Sequence, residues 1–374
     1  MIYNKYTLKE LATIRYGKNQ KNVVSSDGSF PIYGTGGLMG YASKYLYDKP
    51  SVLIGRKGTI DKVRYVTHPF WTVDTLFYTE INDAIVIPHF LYYVLSLLNL
   101  RKYNEGTSIP SLRIETLNRL ELYIPPLSEQ KKILSFIEPI EEKIDINSRI
   151  NRNLSEQAQA IYESWFVSFE KFGGMVPLDW GEGVLGDIAE IKTTTFKPDK
   201  EPDVIVEHYS IPALDEKHFP IFELAEGIKS NKYLLNKNSV MISKLNPDIK
   251  RIWRPMCLSD RSVCSTEFIV FEAKNKKNKD FIFSILDSDN FSNHLCSHVT
   301  GSTGSRQRAV PKATLDFKVL IPPSEVIEQF CSMVTPIYDL IGVNEIENQR
   351  LSELRDSLLP KLMSGELNVS SLNI

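Results

Sequence analysis

Mostly hydrophobic side chains recur at alternating intervals of four and three residues from position 133 to position 165. The positions are Ile133, Ile137, Ile140, Ile144, Asn147, Asn151, Leu154, Ala158, Ile161 and Trp165. This spacing lines up one stripe along a helix and is typical of a coiled-coil seam. Two asparagines interrupt the stripe, and buried asparagine in a seam fixes the register of pairing at some cost in stability. The pattern predicts a long pairing helix, roughly 50 Å over this stretch.

The same pattern occurs a second time at a constant offset of 197 residues. The second copy reads Phe330, Val334, Ile337, Ile341, Asn344, Asn348, Leu351, Arg355, Leu358 and Leu362. Each copy follows an Ile-Pro-Pro string, at 124–126 and 321–323, which stops the preceding strand. The shared asparagines favour pairing of the two helices with each other. The alternative, in which each helix packs separately on its own domain, stays open.

The segments before the two helices are related more distantly and predict one kind of domain used twice. Short β-branched and aromatic runs at 51–54, 76–79, 121–124, 239–242, 268–271 and 317–321 predict strands, and 88–100 and 280–288 predict helices. The expected fold class is therefore α+β. The expected segments are a first domain at 1–127, a helix at 128–170, a linker at 171–183, a second domain at 184–323 and a helix at 324–367.

Charge is distributed unevenly along the 374 residues, although the formal net charge is only −2. Residues 128–170 hold eight acidic and five basic side chains, and residues 325–366 hold eight and three. The rest of the chain therefore carries a net charge of +6. A basic surface outside the helices is compatible with nucleic acid as a partner.

Several other classes of protein find little support in the sequence. No apolar run approaches the ~20 residues of a membrane span, and the N-terminus lacks a signal-peptide core, so we expect a cytoplasmic protein without membrane contact. The four cysteines show no zinc-ligand spacing, and no metal site is indicated. The Gly34–Gly37 segment lacks the Gly-Lys-Ser/Thr of a phosphate-binding loop. Asp248, Glu272 and Lys274 formally fit a metal-dependent nuclease, which is kept as a remote alternative.

The order of these elements resembles the specificity subunit of type I restriction–modification systems over essentially the whole chain. The matching strings are Leu8-x-x-Leu11-Ala12-x-Ile14-x-x-Gly17, Pro31-Ile32-Tyr33-Gly34-x-Gly36-Gly37, 55–60, Ile124-Pro125-Pro126-Leu127-x-Glu129-Gln130 and the closing segment 354–367. Each string is weak by itself, whereas their order is specific.

The resemblance implies two tandem target-recognition domains, each reading one half of a split site in double-stranded DNA. It implies that the long helices pair as an antiparallel coiled coil with pseudo-two-fold symmetry, set the gap between the half-sites, and dock two adenine methyltransferase subunits and, in a fuller complex, two restriction subunits. The chain itself would be non-catalytic and hold no cofactor. S-adenosylmethionine, Mg²⁺ and ATP would belong to the partner subunits.

Phosphate contacts require Lys and Arg, and base contacts use Arg, Lys, Asn, Gln, Ser and Thr. In the first domain the candidates are Thr35, Lys44, Arg56, Lys57, Lys62, Arg64, Thr107, Ser108 and Arg113. In the second domain they are Lys244, Lys250, Arg251, Arg254, Ser302, Thr303, Arg306, Gln307, Arg308 and Lys312. The expected helix-pairing residues are Ile137, Ile140, Ile144, Asn147, Asn151, Leu154, Ile337, Ile341, Asn344, Asn348 and Leu351.

Two interpretations without DNA contact compete with these assignments. Each charged segment could be a solvated face, and Trp253 within 244–261 favours core packing over contact with a sugar. At the level of the whole chain, the rival function is a helix-mediated scaffold whose domains bind proteins.

Overall fold

The computed structural model describes residues 3–301 and 307–367, and the chain divides into two compact units. The first unit comprises residues 1–142 together with 351–374, and the second comprises 143–350. Each unit combines one α+β domain with a length of both long helices, which confirms the predicted fold class.

The first unit contains nine strands. They are β1 (Asn4–Thr7), β2 (Ala12–Tyr16), β3 (Phe30–Gly34), β4 (Gly37–Ala42), β5 (Ser51–Gly55), β6 (Val63–Val66), β7 (Trp71–Thr72), β8 (Leu76–Ile81) and β9 (Glu121–Ile124). The helices of its domain are α1 (Leu8–Leu11), α2 (Pro88–Ser96) and α3 (Ile114–Asn118), with a 3₁₀ turn at Leu100–Tyr103. The first long helix, α4, spans Leu127–Phe166.

The second unit repeats this order with insertions. Its strands are β10 (Gly181–Val184), β11 (Ala189–Lys192), β12 (Thr195–Phe196), β13 (Ile205–Tyr209), β14 (Ile221–Leu224), β15 (Lys232–Leu234), β16 (Ser239–Ser243), β17 (Ile252–Trp253), β18 (Ser262–Ser265), β19 (Phe268–Ala273), β20 (Val299–Thr300), β21 (Arg308–Ala309) and β22 (Lys318–Ile321). Its helices are α5 (Leu185–Ile188), α6 (Ile211–Lys217), α7 (Lys279–Asp287), α8 (Asp289–Ser297), α9 (Pro311–Thr314) and α10 (Ser324–Ser364), with 3₁₀ turns at Glu170–Phe172, Pro198–Lys200, Ala225–Gly227 and Lys276–Asn278.

Each domain contains its own four-stranded antiparallel sheet of the same kind. Its order is β2-β8-β5-β6 in the first domain and β11-β19-β16-β17 in the second. The middle strands β5 and β16 are buried at every residue, which explains their continuous runs of apolar and small side chains. Helix α2 or α7 then packs on this sheet, so Phe90 lies with Val52 and Phe281 with Val240 in the two cores.

The remaining sheets show where the domains diverge. The first domain adds the three-stranded sheet β4-β3-β7, whereas the second adds the five-stranded sheet β12-β15-β18-β13-β14. In both domains the opening strand pairs with the strand that precedes the long helix, β1 with β9 and β10 with β22. This pairing ties the start of each domain to the start of its helix.

Helix α4 begins beside a buried glutamine. The Gln130 side chain is fully buried, accepts a hydrogen bond from the Ile87 amide at 2.8 Å and donates to the carbonyls of Ile85 and Pro125. These bonds satisfy backbone groups that burial would otherwise leave unpaired. At the offset of 197 the second helix carries Ile327, which is buried among apolar side chains instead.

In the second unit, four asparagines join the two helices in one register. The Asn147 side chain donates to Asn348 Oδ1 at 2.9 Å and to Glu347 Oε2 at 2.7 Å. The Asn344 side chain donates to Asn151 Oδ1 at 2.7 Å, and Asn151 donates to the Ile341 carbonyl. Each asparagine thus meets the repeat copy of the other, as in an interface with local two-fold symmetry.

The same antiparallel register continues along the helices. In the second unit the rings of Trp165 and Phe330 lie 5.9 Å apart. In the first unit Ile133 shares a core with Leu362, and Arg355, a charged residue at a seam position, reaches Glu141 at 3.7 Å. The predicted antiparallel pairing of the helices is confirmed. The alternative was also partly right, because each helix packs on a domain as well.

A histidine attaches the first domain to α4. His89 Nδ1 lies 2.9 Å from Glu138 Oε1 and its Nε2 lies 3.3 Å from Glu141 Oε2, while the Tyr65 ring stacks on the imidazole at 4.7 Å. Burial lowers the pKa of His89, but the hydrogen bonds and charges of Glu141 and Glu138 outweigh burial and raise it above its ordinary value. The imidazolium is therefore the form that this contact stabilises.

An arginine and an aspartate attach the second domain to α10. Arg254 Nε donates to Asp280 Oδ1 at 2.6 Å, and its Nη2 donates to Asp280 Oδ2 at 3.1 Å and to Asp339 Oδ1 at 2.9 Å. Thr335 Oγ1 donates to Asp280 Oδ2 at 2.6 Å, and the guanidinium lies over the Tyr338 ring. The buried carboxylate of Asp280 is thus fully hydrogen-bonded, as burial of a charge requires.

By length and composition alone, α10 could cross a membrane, and among the described residues it is the one helix that could. Such a match is weak evidence. Its apolar side chains, including Phe330, Val334 and Tyr338, belong to the core of the second unit, and its Asn344 is hydrogen-bonded to α4.

We expect Asn147→Ala to lower the free energy of unfolding by about 1–3 kcal/mol, because the substitution removes a buried side chain and leaves the half-buried Asn348 without its donor. The double variant Asn147→Ala/Asn348→Ala should lose less than the two single losses added together, since the residues share one interaction. Urea denaturation of the full chain measures both. Arg152→Ala, an exposed change one turn away, is the control, and an equal loss in Asn147→Ala and Arg152→Ala would contradict the assignment.

We expect the first unit to become less stable as the pH rises. The pKa of His89 is raised on folding from an unfolded value near 6.5, so its stabilising effect is complete below about pH 6.5 and disappears as the pH passes the folded pKa. The amides of α2 that follow Pro88 should then exchange hydrogen faster, relative to the intrinsic rate, at pH 9 than at pH 6. His89→Gln should abolish this trend and His68→Gln, at an exposed position, should preserve it. A trend that persists in His89→Gln would refute the assignment.

Candidate nucleic-acid interface

In the first domain, two predicted loops lie side by side. The loop after β5 begins at Gly55, where a Cβ would lie 2.0 Å from the Thr59 carbonyl oxygen, so only glycine fits this tight turn. The backbone of Lys57 forms an isolated antiparallel β-bridge with Ser111, and the Gly58 amide donates to the Pro110 carbonyl at 2.9 Å. The basic segment 56–64 is thereby held against the loop that carries Thr107 and Ser108, both exposed.

Two tyrosine rings position arginines of this segment. The Arg56 guanidinium lies 5.1 Å from the centre of the Tyr16 ring, and Arg56 Nη1 donates to the Asp74 carbonyl at 2.8 Å. The Arg64 guanidinium lies 5.6 Å from the centre of the Tyr33 ring. Burial raises the pKa of Tyr33, and the charge of Arg64 opposes the shift.

The turn between β3 and β4 approaches the same arginine. Gly37 has φ +122°, and a Cβ built there would lie 3.3 Å from Arg64 Nη2. Thr35, two residues before Gly37 in the same turn, is partly exposed. Lys44 is exposed beyond the end of β4.

The second domain brings together the corresponding two loops. The Asn246 amide donates to the Gln307 carbonyl, and the Ala309 amide donates to the Lys244 carbonyl. The backbone of Leu245 forms an isolated antiparallel β-bridge with Arg308. Segment 244–246 follows β16 as segment 56–58 follows β5. The sequence pointed to these segments separately, and the structure places them next to each other in both domains.

Five predicted cations are already bound to carboxylates. The pairs are Arg113–Glu105, Lys250–Asp287, Arg251–Asp215, Arg254–Asp280 and Arg308–Glu267. Arg308 keeps 45% of its side chain exposed, and the hydrogen bond with Glu267 raises its pKa further. A paired but exposed arginine can still reach a phosphate with its free edge.

The structure revises the assignments of Arg251 and Arg254. Their side chains are 13% and 17% exposed, and each forms two hydrogen bonds with one carboxylate. These guanidinium groups hold the domain together instead of facing outward. Trp253 between them is 1% exposed, so core packing of this tryptophan is confirmed.

Within residues 3–301 and 307–367, the other basic candidates form no ion pair. They are Lys44, Arg56, Lys57, Lys62, Arg64, Lys244 and Lys312. Ser302, Thr303 and Arg306 lie outside the described residues. The unpaired charges concentrate on segment 56–64 of the first domain.

The described residues give the nuclease alternative no support. They contain no group of three or more His, Cys, Asp or Glu side chains that could hold a metal ion. Glu272 accepts a hydrogen bond from Asn236 at 2.6 Å, and Asp248 is exposed in a separate loop.

Sequence reasoning missed the exposed apolar tip of the β3–β4 hairpin and the supporting tyrosines. Leu38 and Met39 are 54% and 60% exposed, and Tyr41 is 45% exposed. The strand pattern at 30–42 contained a clue, because apolar residues stand on both faces of a short hairpin. The contacts of Tyr16 and Tyr33 with arginines carry no sequence signal, since each joins distant strands.

Comparisons with known proteins identify the family and the fold of this chain. A family model described as type I restriction modification DNA specificity domain matches residues 3–156 and 177–355. The chain is 25% identical to the type I restriction enzyme MjaIX specificity subunit of Methanocaldococcus jannaschii over 356 residues, which covers 87% of this chain and 80% of that protein. It is 22% identical to the HindI specificity subunit of Haemophilus influenzae over 367 residues, 77% and 79% of the two chains.

The crystal structure of a type I restriction–modification S subunit from M. genitalium has the same fold. Its TM-score is 0.62 at 18% sequence identity, and the alignment covers 96% of each chain. The family model matches both halves and most of the described residues. The chain therefore belongs to the type I restriction–modification DNA specificity family.

Proposed function

We propose that each recognition domain binds one half of a split DNA site through the loop after its central strand and the loop that lies beside it. The observation that supports this proposal is the recurrence of the loop pair. Segments 56–58 and 110–112 in the first domain and 244–246 and 307–309 in the second occupy corresponding places and carry different side chains. Two half-sites of different sequence require loops that lie in equivalent places but carry different side chains.

The paired helices would hold the two domains in one register and thereby set the gap between half-sites. They would also dock two adenine methyltransferase subunits, with two restriction subunits joining a fuller complex. In this proposal the chain is cytoplasmic and non-catalytic, and S-adenosylmethionine, Mg²⁺ and ATP act in the partner subunits.

We expect the unpaired cations of segment 56–64 to neutralise DNA phosphates. Replacing Arg56, Lys57, Lys62 and Arg64 together by Gln should weaken DNA binding of the methyltransferase complex and flatten its salt dependence. The slope of log K against log[salt] should become shallower by about 0.9 for every phosphate that the variant no longer neutralises. Fluorescence anisotropy across a range of salt concentrations measures the slope.

The matched control removes the same number of positive charges from residues that are paired elsewhere. Its four Gln substitutions replace Lys5, Arg15, Arg149 and Lys277, whose partners are Glu121, Glu80, Asp145 and Glu328. An equal change of slope in both variants would show that only net charge matters and would remove segment 56–64 from the interface. Absence of any sequence preference in the complex would favour the scaffold function instead.

We expect an insertion in both helices to lengthen the gap of the methylated site. Seven residues preserve the seam period and add about 10 Å, or roughly three base pairs of DNA. Because Arg149 lies opposite Ile346 in the register set by the asparagines, the insertions belong after Arg149 and after Glu345. Methylation sequencing of cells with the modified subunit reads the gap. Insertion after Arg149 alone breaks the register and is the control, and an unchanged gap with full methylation would disprove the spacer role.

A further inference from the structure

The contact between recognition domain and long helix occupies equivalent positions in the two units. His89 and Asp280 are each the second residue of the helix that packs on the shared sheet, α2 or α7. On the long helices, the offset of 197 relates Glu138 to Thr335 and Glu141 to Tyr338. The residues that meet across one contact are therefore the counterparts of those that meet across the other.

A third position follows from the strand registers. Leu53 of β5 pairs with Arg64, and Met241 of β16, also the third residue of its strand, pairs with Trp253. The next residues in the chain are Tyr65, within β6, and Arg254, directly after β17. Tyr65 stacks on His89 in the first unit, and Arg254 binds Asp280 in the second.

The charge on the domain side is reversed between the units, and the helix side changes from two carboxylates to two hydroxyls. In the first unit a histidine of the domain binds two carboxylates of the helix, at 2.9 and 3.3 Å. In the second unit a carboxylate of the domain accepts a hydrogen bond from a helix hydroxyl at 2.6 Å, and the cation, Arg254, directly follows the edge strand. The His89 and Asp280 side chains are 17% and 5% exposed, so solvent screens neither contact well.

We propose that each recognition domain is matched to its own helix by these residues, so that a domain is exchangeable only together with helix positions 138 and 141, or 335 and 338. A domain with aspartate at the His89 position would bring a third carboxylate, on α2, against Glu138 and Glu141 of α4. A domain with histidine at the Asp280 position would face the uncharged Thr335 and Tyr338, and the one helix carboxylate described in this contact, Asp339, already binds Arg254. The matching restricts which new combinations of half-sites can arise by exchange of domains, and it goes beyond the proposed function because it concerns assembly of the subunit itself.

The first test rebuilds the second contact in the first unit of the full chain. His89→Asp should raise the hydrogen-exchange rate of the Pro88–Ser96 amides at least about tenfold above that of His89→Gln, because like charges then face each other with little screening. The variant Tyr65→Arg/His89→Asp/Glu138→Thr/Glu141→Tyr carries the complete second set and should recover protection close to that of His89→Gln. Equal exchange in His89→Asp and His89→Gln, or no recovery in the fourfold variant, would overturn the proposal.

The second test works in the other unit and stays decisive if His89→Asp fails to fold. Thr335→Glu places a carboxylate against Asp280, whereas Thr335→Gln has the same shape without the charge. The Lys279–Asp287 amides should exchange about tenfold faster in the Glu variant than in the Gln variant. Equal rates would show that the position tolerates either charge and that the domains are not matched to their helices.

Discussion

The antiparallel register of the two long helices is the constraint on which the remaining structure depends. Apolar side chains alone would permit several registers, since a shift by seven residues again places one stripe against the other. The four asparagines remove this freedom, because the buried amides of Asn147 and Asn344 would lack their partners in a shifted register. The same register brings Arg355 to Glu141 and Trp165 to Phe330, and therefore decides which parts of both helices complete each compact unit.

The two recognition domains show how a common frame accommodates different chemistry. The sheet with β5 or β16 in its middle, the helix packed on it, and the strand that leads into the long helix recur in both domains. The frame fixes the backbone of the loop after the central strand and of the loop beside it. Their side chains are free to differ, as Lys57 beside Ser111 and Leu245 beside Arg308 illustrate. Stability and recognition are thus carried by separate residues of one domain.

The sequence predicted the long helices of this structure but not its ion pairs or the contact between its loops. The seam from Ile133 to Trp165 and the repeat at 197 residues predicted both helices, because helical periodicity is local information. Ion pairs are not local: nothing near Arg254 in the sequence indicates that Asp280 and Asp339 neutralise it. The basic run at 244–261 therefore looked like an interface although two of its arginines stabilise the domain. The adjacency of the two loops was likewise unpredictable, since it depends on tertiary packing.

The composition of the first unit has a consequence for how the protein is made. Its domain lies at the beginning of the chain, but Leu359 and Leu362 of its core and the Leu362 carbonyl that accepts a hydrogen bond from Tyr3 come from the last stretch of the chain. The second unit is one continuous segment. On the ribosome the usual order, in which the N-terminal unit is finished first, is therefore reversed. The hydrophobic core of the first recognition domain therefore stays partly exposed until the C-terminal turns of α10 have been synthesised.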